Sequence, residues 1–372
     1  MRSRLCAQNL IIAYGLGCGL LVWCVGLVSS VQACRMEQGS GDTEKVFLRQ
    51  ISGPCSLKER ETLAIPAEVL LTALKKGKSL DLRGVVIAGD LMLDRLPLQS
   101  FEQLDIPSHA LHRFLERRGV HQVRVIRGAV SIRDSWVKKV IATNLVDGAL
   151  LLYGDVTMTG TTFERSIDFS KALFLSSVDF SDAHILYEGF FIGAYFNGPA
   201  TFTHTSFGTH SRFHKAIFAE STRFSGAVFH GLAEFLEVVF QKDAHFAQTV
   251  FQVGTGFSGA QFQGFLDLSS SVFTGPAFFR FTAFSENLLI HDSVFQDTAD
   301  FTQATFKGRP DFSTVTFNTL PVFVGTGVAP PPTLSLEDQM RRSRIGIWAV
   351  LLLFMLILIW NFRKRAKGKS AK

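Results

Sequence analysis

Phe301-Thr302-Gln303-Ala304-Thr305-Phe306, like Phe257-Ser258-Gly259-Ala260-Gln261-Phe262 before it, sets two phenylalanines five residues apart with alanine two before the second. Stepping by eleven from Phe169 lands on Phe180, Phe191, Phe202, Phe213, Phe224, Phe235, Phe246, Phe257, Leu268, Phe279, Ile290, Phe301, Phe312 and Phe323, with no polar residue among them. A second series of the same period runs from Phe163 through Phe174, Ile185 and Phe196 to Phe317. Small residues such as Ala172, Ala183, Ala194, Thr205 and Ala216 stand two before its members. Phe accounts for 36 of 372 residues, against four Tyr and four Trp, so one packing solution is being repeated.

A period of eleven also suits a right-handed helical coiled coil. That reading fails because Gly, Ser and Thr are abundant and Pro199, Pro276 and Pro310 fall inside the run, where a helix would break. A solenoid accommodates every feature. Each segment of five or six residues forms one side of a coil, Phe points to the axis, and successive coils stack at strand spacing, about 4.8 Å. If two eleven-residue units make one coil, residues 158–323 form about seven coils in a rod roughly 35 Å long.

The hexads quoted above resemble the Phe-centred branch of the pentapeptide-repeat family, over about half the chain. The resemblance implies an all-β fold: a right-handed quadrilateral parallel β-helix. The alternation of five and six residues departs from the family's plain pattern, which implies looser coils.

Earlier coils are expected in residues 80–157, where Leu82, Ile87, Leu93 and Leu98 repeat the five-six-five spacing with aliphatic residues. Ile126, Ile132, Val137, Leu152 and Met158 read the same way. Two short helices accompany them. Pro66 to Lys76, closed by Gly77, has the start and stop signals of a helix. Its Val69, Leu70, Ala73 and Leu74 are placed to cap the first coil within an N-terminal segment 34–79. Pro107 to Arg118, before Gly119, reads as an insertion near residues 105–119.

The ends point to a membrane. Arg2 and Arg4, the apolar run Leu10 to Val28 and the small residues Val31 and Ala33 give residues 1–33 the form of a secretory signal. Residues 324–344 are read as a linker and juxtamembrane helix after Pro330-Pro331-Pro332. Ile345 to Phe362 is an uncharged apolar stretch bounded by Trp348 and Trp360, long enough for one transmembrane helix. The basic tail 363–372 then belongs in the cytoplasm and the bulk of the chain in the periplasm or exterior. The net charge of +6 is concentrated at these ends, so it marks topology and not a nucleic-acid face. Cys34 and Cys55 are left in the exported part. They can pair as a disulfide, stay as thiols, or Cys34 can carry a lipid.

Chemistry is sparse. His109 and His112 lie three apart with His121 further on, short of a third metal ligand at a suitable position, and His204, His210, His214, His230, His245 and His291 form no single column. Asp168, Asp179, Asp300 and Asp311 each precede an inward Phe, but Thr201, Arg212 and Arg223 break the acidic column. The register from Phe163 to Phe323 leaves no loop long enough to build a cleft. The expectation is therefore a membrane-anchored scaffold for an unidentified protein partner, possible as a homo-oligomer, with no enzyme activity, metal, cofactor or nucleic-acid partner. The assigned residues are structural: the ladder Phe169, Phe180, Phe202, Phe213, Phe224, Phe246, Phe257, Phe301 and Phe312, and the cysteine pair. A sensory domain coupled to a membrane protein and a carbohydrate-binding β-helix are the alternatives.

Overall fold

The computed structural model describes residues 34–37, 43–104, 109–143, 148–308 and 310–329. The expected signal, the juxtamembrane helix, the apolar segment 345–362 and the basic tail lie outside the described residues. Among those described, no helix is long and apolar enough to cross a membrane.

Inward Phe and aliphatic residues at a beat of five and six produce very short strands joined by tight turns. One coil runs through Thr222–Arg223, Val228–Phe229, Leu232–Glu234 and Val239–Phe240, and Ala244–His245 then returns to pair with the first of these. A coil is therefore 22 residues, the separation that recurs in contacts between successive turns. Stacked coils give four sheets, here called sheets 1 to 4 in chain order. Among the described residues they hold 11, 11, 9 and 10 strands, so the solenoid has about 11 turns. The pairing is parallel except where Arg35–Glu37 meets Val46–Ser52 and Leu98–Ser100 meets Gln122–Ile126.

The turn chemistry explains the small residues. In Phe213–Ala216 the Ala216 N–H donates to the Phe213 carbonyl at 3.0 Å, and Lys215 has φ 56°, the signature of a type II turn. The same left-handed position recurs every eleven residues from Lys171 through Asp182, Gly193, His204 and Gly226 to Gln303. The next residue turns inward and is Ala, Ser or Thr, except at Val238. Where it carries a hydroxyl, that group bonds to the coil beneath: Thr205 Oγ1 donates to the Phe180 carbonyl at 2.8 Å and Ser271 Oγ to the Phe246 carbonyl at 2.6 Å. No buried donor is left open at these positions.

Each eleven-residue ladder resolves into two columns, because eleven is half a coil. Phe202 and Phe224 stack at 4.7 Å and 7°, Phe207 and Phe229 at 4.5 Å and 3°, Phe213 and Phe235 at 4.9 Å and 2°, and Phe218 and Phe240 at 4.9 Å and 4°. Between columns the rings meet edge to face, as in Phe213 and Phe224 at 5.5 Å and 90°. Phe169, Phe180, Phe202, Phe213, Phe224, Phe246, Phe257, Phe301 and Phe312 are all buried. Burying each ring contributes about 2–3 kcal/mol, and favourable ring geometry about 0.5–1.5 kcal/mol per pair.

The N-terminal end is closed by α1 (Leu57–Thr62) and α2 (Ala67–Lys75). In α2 the residues turned inward are Ala67, Leu70, Leu71, Ala73 and Leu74, whereas Val69 is 42% exposed. Leu71, not Val69, completes the apolar stripe, since 67, 70, 71 and 74 follow the helical repeat. The sequence reading passed over α1, which opens with a capping box between Ser56 and Glu59. Lys138 ties α1 to the solenoid through Glu61 at 2.6 Å and Glu164 at 2.7 Å. Hydrogen bonds from Lys138 to Glu164 and Glu61 raise the lysine's pKa above its ordinary value. Cys34 and Cys55, with Cα atoms 5.4 Å apart, are joined by a disulfide that pins the first strand to the start of α1.

The expected insertion is visible in the register. Across it, bonded coils are 50 residues apart in sequence in place of 22. The extra chain leaves after Leu91–Met92 of sheet 3, forms Leu98–Ser100 and α3 (His109–Arg117), and rejoins sheet 4 at Gln122–Ile126. Leu98 is consequently no ladder residue. It is 44% exposed, and Leu96 and Phe101 are buried in its neighbourhood. Helix α3 lies on the outer face of sheet 4, where Leu111 and Leu115 pack with Val125, Leu151, Leu173 and Tyr195.

Candidate functional site

Among the four outer faces, sheet 3 concentrates chemistry. Its register sets Asp168, Phe190, Arg212, Glu234, Gly256, Phe278 and Asp300 in one column, each a coil above the last. These strands are often three residues long, so a second outward position flanks the column with Glu188, His210, Leu232 and Gly254. Side chains distant in sequence thereby converge. Glu234 Oε2 lies 2.6 Å from His210 Nε2 and accepts from Arg212 Nε at 2.9 Å. His214 Nε2 reaches the same oxygen at 3.4 Å, close enough for charge attraction but without hydrogen-bond alignment. Burial pushes the Glu234 carboxyl up; the His210 hydrogen bond, the His214 charge and the Arg212 hydrogen bond outweigh it and hold the pKa below the ordinary value.

Aromatic rings back the cations on both sides of this cluster. The Arg212 guanidinium lies 5.6 Å from the Phe190 ring centroid, and that of Arg280 5.0 Å from Phe278. Arg280 also donates to Asp300 at 2.6 Å. Between the two Arg–Phe units the outward positions are Gly254 and Gly256, and Leu236 leans across the space. A Cβ on Gly256 would stand 3.0 Å from Leu236 Cδ2, so a larger residue there would push that side chain aside. One coil further on, Phe281 occupies the left-handed turn position at φ 56° and is 67% exposed. A bulky side chain in that conformation costs about 1–2 kcal/mol. The equivalent turn positions on neighbouring coils hold Gly259 and Gln303.

Comparisons with family models, with curated proteins and with solved structures return no match to this chain. The fold itself, a parallel solenoid with buried Phe about every five residues, is consistent with the pentapeptide-repeat architecture.

The remaining sequence candidates fall into place. Asp168, Asp179, Asp267, Asp300 and Asp311 each accept the backbone N–H two residues on, for example Ser181 to Asp179 at 2.8 Å. Asp-Phe-Ser, Asp-Leu-Ser or Asp-Phe-Thr is thus the polar entry to a turn. His210 and His214, in different columns, both reach Glu234, which stands one coil above Arg212. A cleft also exists: α3 roofs a wall formed by Lys171 and Leu173. The unbroken repeat supplies that wall and the earlier insertion supplies the roof.

Proposed function

We propose that the chain is an exported, membrane-anchored member of the pentapeptide-repeat family, with a right-handed four-sided coil serving as a non-catalytic scaffold. Sheet 3 is the face offered to a protein partner. The observation that carries this reading is Phe281, a large exposed aromatic held in a conformation that costs the fold stability. Nothing in coil packing calls for Phe at that position, since Gly259 and Gln303 serve equally well on either side. Exposed aromatics and arginines supply most of the energy of protein interfaces, and Phe281 stands beside Arg280 with Phe190 and Arg212 further along the face. Regular coils give the partner a rigid surface, and the basic tail keeps the C-terminus in the cytoplasm.

The experiment places a photo-crosslinking amino acid at 281, at 232 and, as a control on another face, at 252 in the full chain in native membranes. A common crosslinked protein from 281 and 232, absent from 252, is the expected result. Phe281→Gly should raise stability by about 1 kcal/mol and abolish that crosslink at 232. Equal crosslinking from all three positions, or unchanged capture by F281G, would remove the reading. A reporter fused to the C-terminus should be active only in its cytoplasmic form; an external tail would refute the topology.

A further inference from the structure

The cleft under α3 is separate from the sheet 3 face and has a chemistry of its own. It has a volume of about 570 Å³, within the range of small-molecule sites. Phe114, Leu115 and Val120 come from α3 and the segment after it, and Ala149 and Leu173 from the outer face of sheet 4. The polar lining is Arg118, His121, Gln122 and Lys171, and among the described lining residues there is no Asp or Glu.

Arg118 is the decisive group. Its side chain as a whole remains exposed, yet its guanidinium is shielded: Nη1 donates to the Gly193 carbonyl at 3.0 Å and the plane lies 4.3 Å from the Phe114 ring centroid. Burial lowers its pKa. Among the described residues no acid forms an ion pair with it. A guanidinium presents five N–H donors in a rigid fork, so one bond to a carbonyl leaves donors available at the cleft. A cation without a counter-ion among the described residues, set against an apolar wall, matches a ligand with one negative head and an apolar body.

We infer that the cleft between α3 and sheet 4 binds a small organic carboxylate, with Arg118 as counter-ion and Phe114, Leu115, Val120 and Leu173 around the apolar body. Binding ties the insertion to the solenoid, since Arg118 already bridges α3 to the turn at Gly193. The ligand therefore stabilises the one long excursion from the described coils.

The test uses the full chain in zwitterionic lipid nanodiscs with 3-phenylpropionate as probe and 3-phenylpropanamide as its neutral counterpart. Saturable binding of the carboxylate is expected, by saturation-transfer NMR, together with slowed amide exchange across residues 109–121. The amide should bind about tenfold more weakly or worse, and Arg118→Gln should erase the difference. Should R118Q dislodge α3, as exchange over 109–117 would report, Arg118→Lys decides, because it retains the cation and should retain the preference for the carboxylate. The inference is overturned by equal binding of the two probes, by a preference that survives R118Q, by its absence from a folded R118K, or by no saturable binding of 3-phenylpropionate to the wild-type chain.

Discussion

Truncating Phe224 to alanine tests the ring columns at their densest point. Phe224 is fully buried. Its ring stacks on Phe202 at 4.7 Å and on Phe246 at 4.6 Å, and meets Phe213 and Phe235 edge-on at 5.5 Å. Phe→Ala in a packed core costs about 3–5 kcal/mol. Loss of ring pairs on both faces and both edges, each about 0.5–1.5 kcal/mol, puts this site at the upper end, near 5 kcal/mol. Phe323 is the comparison. It stacks on one side only, against Phe301 at 4.9 Å, with Phe312 edge-on at 5.2 Å, so F323A should cost about 3 kcal/mol. Phe224→Leu should cost roughly 1–2 kcal/mol, since Leu268 and Ile290 already sit at this ladder position. Urea titration followed by far-UV circular dichroism gives the ranking. Solenoids unfold by neighbouring repeats, so hydrogen exchange should show the loss centred on the coils around 202–246 and fading toward the N-terminal cap. An F224A chain within about 1 kcal/mol of wild type, or no worse than F323A, would refute the column packing.

Thr255 carries a buried hydroxyl with no partner, whereas Thr249 Oγ1 donates to the Phe224 carbonyl at 2.9 Å. Thr255→Val should therefore stabilise by about 1 kcal/mol and Thr249→Val destabilise by about as much; chemical denaturation giving both the same sign would contradict the assignment. Glu234 has its folded pKa depressed, so its stabilising contribution is present above the unfolded value of 4.5 and disappears as pH falls through the folded one. Melting curves should show E234Q less stable than wild type at neutral pH and less sensitive to acid below that value; parallel pH profiles would show that the carboxylate is not coupled to Arg212 and the histidines. Removing the Cys34–Cys55 disulfide, which closes a separation of 21 residues, should cost about 3 kcal/mol. Exchange in C34S/C55S should rise first in 43–62, and uniform destabilisation along the solenoid would go against a local N-terminal clasp.

The solenoid was legible because one residue type serves the same inward position throughout, so Phe163 to Phe323 announces its period directly. A coil of two eleven-residue units was expected from the beat, but the meeting of His210, Arg212, His214 and Glu234 was not, because it depends on which outward positions of the three-residue strands lie side by side. The left-handed turn residues were equally opaque. Lys171, Asp182, His204 and Phe281 share φ of 55–59° without sharing any side-chain chemistry. Helix α1 did carry a local signal in Ser56 and Glu59, but six residues are too few to show an amphipathic period. The insertion could be found from Pro107 and Gly119, but its position over sheet 4 depends on the outward apolar residues Leu151, Leu173 and Tyr195. Their role appears only once inward and outward sides are assigned.

The central claim is that residues 22 apart, and not eleven apart, pair strand to strand on consecutive coils. Gln241 and Gln263 are exposed on consecutive coils of the same side, following the register of Val239 with Gln261, which sets their Cα atoms about 4.8 Å apart, within disulfide reach. Mild oxidation of Q241C/Q263C, mapped by mass spectrometry of unreduced peptides, should give a near-complete intramolecular crosslink, while Q241C/Q252C should give none. Crosslinking of the 241–252 pair in preference to 241–263 would contradict the four-sided coil and the packing derived from it.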